Sequence, residues 1–307
     1  MLPRSVTLFQ LVAILRVSSI GRLLSKTKLG ASVLRSLSRR TRPATGEICI
    51  RLRGMKFVIG VNDTKGVGAD LLEGEFEPVQ TALLSSQLKP GMTFIDVGAN
   101  IGYYTVIASK IVGNSGRIHC FEPEPQNCRI LAKNILENKL SNVYLHNVAL
   151  SDSTGIVVLH TDSKNFGAHS LCKANIFSNE GSELSVLATR LDDFIATNAI
   201  SKVDMIKLDV QGAEAKVIAG AMRTLITQKP MLFLELWPYG IQKMGDDPTT
   251  MLQDLEKMGY AIQVIEAYPT NKTILSKDTL SDMVSSKSSY LNLFLSAEET
   301  SKQTGFA

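Results

Sequence analysis

The sequence predicts an α/β fold: a mostly parallel sheet with an antiparallel closing hairpin, helices on both faces, and a small N-terminal β-hairpin. Three observations carry that prediction. From residue 93 onward, short apolar runs alternate with helix-length amphipathic segments, the βαβ rhythm of a parallel sheet. Runs such as Phe94-Ile95-Asp96-Val97 are apolar nearly throughout, as expected of strands covered on both faces. Turn signals at Lys89-Pro90-Gly91 and Gly113-Asn114-Ser115-Gly116 set the runs apart.

At 307 residues with 44% apolar content, the chain can support one substantial domain and an appendage. The expected division is a basic extension at 1–42, a domain at 43–299 with its core at about 70–240, and a tail at 300–307. The chain carries a net charge of +4, yet residues 1–42 hold nine Lys or Arg and no acid, so the remainder is net acidic. Within the extension the apolar run 6–15 is shorter than the roughly 20 residues that span a bilayer. Three readings stay open: a helix on an anionic lipid surface, an organellar transit peptide if the source is eukaryotic, or a solvated or locally packed extension. No Ala-x-Ala site follows the run, which disfavours a cleaved secretory signal.

In order, residues 47–61 read as an antiparallel hairpin around Gly54, and 77–88 as a helix ending before Pro90. Residues 93–97 give the first sheet strand, 103–111 its helix, and 117–121 the second strand. Pro125 opens a helix to about 140, with Ile130, Leu131, Ile135 and Leu140 on one face. Residues 143–148 supply the third strand, and 156–160 with 184–187 an antiparallel element. Thr189-Arg190-Leu191-Asp192 resembles a capping box. A fourth strand at 205–208 leads into a helix at 213–225 with Val217, Ile218, Ala221, Met222 and Leu225 buried. A fifth strand at 231–236 follows. Asp247-Pro248 starts a helix ending near Gly259, and strands at 261–265 and 291–295 close the sheet.

The segment Thr93 to Thr105, TFIDVGANIGYYT, has the form of a cofactor cradle. Gly98 and Gly102 allow a sharp turn and close backbone approach, at the carboxyl end of a strand where open α/β sheets bind ligands. The spacing is Gly-x-x-x-Gly, with Asn100 in the middle, rather than the Gly-x-Gly-x-x-Gly that admits a pyrophosphate. With Asp96 just before the turn, the loop suits a cationic, phosphate-free cofactor, and S-adenosyl-L-methionine fits. Glu122 ends the second strand somewhat over 20 residues beyond the loop. A carboxylate there can accept from both hydroxyls of a ribose.

The chain resembles the FkbM-type family of S-adenosylmethionine-dependent methyltransferases, within the Rossmann-like class. Four ordered stretches carry the resemblance: FIDVGANIGYYT at 94–105, FEPEPQN at 121–127, NVALSD at 147–152 and IKLDVQGAE at 206–214. The family usually has Glu at the position of Gln211. The resemblance implies methyl transfer, most often to a hydroxyl of a sugar, glycan, lipid or natural product. It places Asp152 near the adenine and makes Asp96, Gly98, Asn100, Gly102 and Glu122 cofactor-binding residues.

Asp209, at the end of the fourth strand, and Glu214, in the first turn of the next helix, are the expected catalytic residues, either of which can orient or deprotonate an acceptor hydroxyl. Several of the named site residues have a bland alternative. Asp96 can cap the loop, Asp152 can serve its turn, and Glu214 can favour a helix N-terminus. His169 is a second candidate base, and Glu235 with Trp237 and Tyr239 a candidate acceptor wall.

Two other function classes stay open at this point: a noncatalytic cofactor-binding protein on the same fold, and an NAD-dependent oxidoreductase, whose usual Gly-x-Gly-x-x-Gly motif is missing here. The four cysteines have neither metal-ligand spacing nor a disulfide-dense pattern, and no HExxH motif occurs. The expectation is a reduced, cytoplasmic setting, with membrane-surface contact or organellar targeting through the basic extension left open, no metal, no nucleic-acid partner and a small-molecule or glycan acceptor.

Overall fold

The computed structural model describes residues 4–41, 45–74, 76–178, 181–265 and 277–297. The tail expected at 300–307 lies outside them. The extension is helical: α1 (Arg4–Val17), α2 (Ser19–Ser25) and α3 (Lys28–Thr41). It docks on the hairpin of β1 (Glu47–Leu52) and β2 (Met55–Gly60), where Phe9 and Ala13 share a buried cluster with Ile48 and Ile50. Arg16 pairs with Glu73 at 2.8 Å, at the end of α4 (Val67–Glu73).

The domain continues through α5 (Pro78–Gln87), β3 (Thr93–Val97), α6 (Tyr103–Val112), β4 (Arg117–Phe121), α7 (Pro125–Glu137) and β5 (Val143–His146). A small separate sheet joins β6 (Ala149–Leu150), β7 (Gly155–His160) and β8 (Glu183–Thr189), with β7 and β8 antiparallel as expected. After it come α8 (Leu191–Thr197), β9 (Met205–Leu208), α9 (Glu214–Gly220), α10 (Met222–Gln228), β10 (Met231–Leu236), α11 (Pro238–Lys243), α12 (Pro248–Lys257), β11 (Tyr260–Val264), α13 (Lys277–Ser285) and β12 (Leu291–Ala297).

The main sheet has seven strands in the order β11-β12-β10-β9-β3-β4-β5. Neighbours from β10 to β5 are parallel, while β12 runs antiparallel to both β10 and β11. This is the Rossmann-like α/β sheet with its antiparallel closure. Strand order reverses between β3 and β9, which makes the carboxyl ends of these two strands the switch point where such sheets bind ligands. Side-chain alternation divides the core. Phe94, Ile118 and Met205 pack on the α5–α6 side, and Ile95, Ile206 and Leu208 on the α8–α10 side.

Local departures from the sequence expectations have tertiary causes. Thr189 ends β8, and Arg190 precedes α8 without a capping side chain, so the capping box does not form. Asp192 instead accepts from Arg223 N at 2.8 Å and Thr224 N at 2.9 Å. It therefore caps α10, and the helix expected across 213–225 breaks at Ala221. Helices α4, α11 and α13 are additions.

The edge of β2 is finished by asparagine side chains from α7. Asn134 accepts from Val58 N at 2.5 Å and donates to Val58 O at 3.1 Å and Ile101 O at 2.7 Å. Asn138 accepts from Lys56 N at 2.9 Å and donates to Lys56 O at 2.6 Å. Asn134 is fully buried, so Asn134→Ala strands a buried N–H and two carbonyls. The expected loss is about 3 kcal/mol of unfolding free energy by urea denaturation. A loss under about 1 kcal/mol rejects this account of the hairpin's attachment.

Candidate active site

The glycine loop is shaped chiefly by protein atoms. Gly98 has φ 75°, and a Cβ there would lie 1.8 Å from the Asp209 carbonyl oxygen. Gly102 has φ 86° and precedes α6, where a Cβ would meet Leu131 Cδ1 at 2.1 Å. Gly98 N and Ala99 N each donate to Phe121 O at 3.0 Å, closing the turn onto β4. Asn100 adopts φ 51°, which asparagine tolerates better than most residues. Its Nδ2 donates to Phe166 O at 2.7 Å, and its Oδ1 accepts from Ile101 N at 2.7 Å.

Glu122 is 5% exposed. Its Oε2 accepts from Asn100 N at 2.8 Å and its Oε1 from Glu124 N at 2.9 Å. Burial pushes its carboxyl up to about 8, against these backbone donors. The Asn127 side chain also bonds this carboxyl, and a carboxylate's two oxygens can together accept about four hydrogen bonds.

A cavity of about 90 Å³ opens at the carboxyl ends of β3, β4 and β9, where open α/β sheets bind ligands. Gly98, Asn100, Glu122 and Asp209 line it. Phe121, Val148, Ala149 and Leu150 supply an apolar wall, while Phe166, Gly167, His169 and Ser170 of the long β7–β8 connection line another side. Asn127 also lines it, with its Nδ2 on Phe166 O at 2.9 Å. Its Oδ1 is buried without a hydrogen-bond partner among the described residues. The cavity thus offers an apolar slot and a carboxyl with acceptor capacity.

Asp209 stands at the other end. Its Oδ2 lies 3.1 Å from Lys207 Nζ, and its Oδ1 accepts from Gln211 Nε2 at 2.9 Å. The same Gln211 nitrogen donates to Glu235 Oε1 at 2.9 Å. Lys207 also sits 5.0 Å from the centre of the Tyr104 ring, and Tyr104 donates to Glu77. Burial lowers the Lys207 ammonium's affinity for its proton. Asp209, Asp96, Glu77 and Glu235 outweigh that and hold it above the usual lysine value. Burial, with Asp209 and Glu77 adding repulsion, raises Glu235 far above the usual carboxylate range.

Four of the expected site residues stand outside the cavity lining. Strand alternation turns Asp96 to the α6 side of the sheet, where it accepts from Thr105 Oγ1 at 2.6 Å. Gly102 is a helix-start glycine, as above. Asp152 lies on the surface against Lys216 at 3.3 Å, and the apolar Ala149 and Leu150 just before it face the cavity instead. Glu214 is 1% exposed and accepts from Gly212 N at 3.0 Å, closing its own turn, with its carboxyl pushed up to about 7 by burial.

His169 lines the cavity, but its Nδ1 accepts from Asp162 N at 3.1 Å. Burial keeps the ring neutral to lower pH than usual, so its proton sits on Nε2 and it enters as a donor rather than a base. Trp237 and Tyr239 join Phe177 in an aromatic cluster with ring centres 5.8–6.1 Å apart.

Asn127, Lys207 and Gln211 were not singled out from sequence as site residues. Each lay inside a quoted stretch, and the signal for Gln211 was its departure from Glu.

A comparison with protein families matches residues 96–262 to the methyltransferase FkbM domain. The 2-O-methyltransferase NoeI of Sinorhizobium fredii is 28% identical over 207 residues, 61% of this chain and 82% of that protein. The 31-O-demethyl-FK506 methyltransferase FkbM of Streptomyces tacrolimicus is 24% identical over 160 residues, 44% of this chain and 61% of that protein. Among solved structures, Aeropyrum pernix fibrillarin with bound S-adenosyl-L-methionine aligns with a TM-score of 0.39 and 16% identity, covering 81% of this chain and 82% of that one. With its family match running over more than half of its length, the chain belongs to the FkbM methyltransferase family and is an S-adenosylmethionine-dependent methyltransferase.

Proposed function

We propose that this enzyme O-methylates a hydroxyl of a sugar or similar polyhydroxylated acceptor, free or carried on a glycan, lipid or natural product. The observation that carries this reading is one cavity at the switch point with a diol-suited carboxyl, Glu122, at one end and a clamped carboxylate, Asp209, at the other. Glu122 would hold the ribose hydroxyls. The wall of Phe121, Val148, Ala149 and Leu150 would take the adenine. Gly98 and Asn100 form the loop against which the methionine part would lie.

When bound, S-adenosylmethionine supplies a methyl group on a cationic sulfur. The remaining work is alignment and management of one proton. Lys207 and Gln211 each occupy one oxygen of Asp209, fixing the carboxylate plane. An alcohol is a weak acid, so the role of Asp209 is to orient the acceptor O–H and take the proton as the oxygen–carbon bond forms, not before. Of the aromatic cluster, Phe177 is the exposed ring on which a sugar can stack. Both named relatives carry an O-methyltransferase description, which supports oxygen as the acceptor atom.

The test is to incubate the purified protein with methyl-labelled cofactor and cell extract fractionated into glycans, lipids and small metabolites. Label is expected in a sugar-bearing product as an alkali-stable ether. An alkali-labile ester, an N-methyl product, or no transfer despite cofactor binding overturns the reading.

A further inference from the structure

Of the 19 exposed large apolar side chains among the described residues, ten lie between Leu8 and Leu37. Helices α1 to α3 bury one face and leave a second apolar face open. Phe9, Val12, Ala13 and Leu34 point inward and are at most 8% exposed. Leu11, Ile20, Leu23 and Leu29 are 60–77% exposed. In α3, Leu29, Val33 and Leu37 recur at every fourth position, so they form one stripe. An extension that only packed onto the domain would present polar side chains outward.

The charge of this surface says what covers it. Residues 1–42 hold nine Lys or Arg and no acid, with Lys26, Lys28 and Arg40 exposed. Apolar side chains flanked by cations, without a carboxylate, match the acyl boundary and anionic headgroups of a lipid leaflet. A protein partner's surface would ordinarily present both signs of charge. The mode is in-plane, because no described helix is long and apolar enough to cross a membrane.

We propose that α1, α2 and α3 form a platform that rests on an anionic lipid surface and holds the methyltransferase there. The proposal stands independently of the acceptor's identity.

The experiment sediments the full chain with vesicles of phosphatidylcholine alone or mixed with phosphatidylglycerol. The protein should pellet with the mixed vesicles and not with the neutral ones, and rising salt should release it. Leu23→Asp with Leu29→Asp should weaken partitioning by about tenfold or more while leaving the thermal midpoint unchanged, because both side chains are largely solvent-exposed. Lys26→Gln with Lys28→Gln should weaken it by about 25-fold, at about fivefold per cation near an anionic surface. Equal pelleting with neutral and anionic vesicles, or unchanged pelleting of the leucine variant, overturns the proposal. It is equally overturned if light scattering without vesicles shows a self-association that the leucine variant abolishes, because the surface then joins two copies.

Discussion

Asp209→Asn is expected to lower kcat by about three orders of magnitude, the scale of a lost proton acceptor, while S-adenosylmethionine affinity changes by no more than about twofold. The amide keeps the shape of the carboxylate but presents an NH₂ either to the Lys207 ammonium or to the Gln211 amide, and both of these are donors. One clamp is therefore broken, and the remaining oxygen is a poor proton acceptor. The family's usual Glu at position 211 would set a third carboxylate beside Asp209 and Glu235. In this chain Gln211 donates to both.

Turnover and cofactor affinity have to be measured on the same preparation, together with the thermal midpoint, because Lys207 loses part of its countercharge. Full turnover with intact cofactor binding removes Asp209 from the reaction centre. A parallel loss of cofactor affinity moves it to the binding site. Rescue by Asp209→Glu, with turnover partly restored, is the outcome that identifies the carboxylate itself as the working group.

The sheet was legible because each strand is a short apolar run between turn signals, and that pattern survives without knowledge of the partners. Glu122 and Asp209 were legible for a related reason: an acid at the carboxyl end of a buried strand can only face the cleft or its rim. Asp96 stands one residue before the end of β3. It lies within the strand, so the two-residue alternation turns it toward Thr105 and Lys207. The reason for Gly98 could not be read locally, because the atom that excludes a Cβ is the carbonyl of Asp209 on another strand. Asp192 shows the same limit, since the helix that it caps begins far along the chain. The network of Lys207, Gln211, Glu235 and Glu77 draws on three separate segments, and no spacing rule connects them.

Above pH 8, where the carboxyl is ionised, Glu122→Gln is expected to weaken S-adenosylmethionine binding by about 100-fold, at roughly 1.5 kcal/mol for each of two hydrogen bonds to a charged acceptor. The pH dependence follows from the same carboxyl. Its value of about 8 in the ligand-free fold lies above the ordinary 4.5 because it is buried, so the folded state holds this proton at pH values where the unfolded chain has lost it. The ligand-free protein therefore loses stability from this group as pH rises from about 4.5 to about 8, and the loss is complete above that. A diol that donates two hydrogen bonds favours the ionised form, so binding expels the proton. Affinity should then rise by up to about tenfold per pH unit below 8 and level off above it. In calorimetry, the binding enthalpy at pH 7 should differ between buffers of unlike ionisation heat by nearly one proton's worth. The Gln variant should show neither the buffer difference nor the pH slope. A wild-type affinity flat from pH 6 to pH 8, with no proton release, would place the ribose on some other group. Unchanged affinity in the variant would do so as well, even if turnover at Asp209 proved as described.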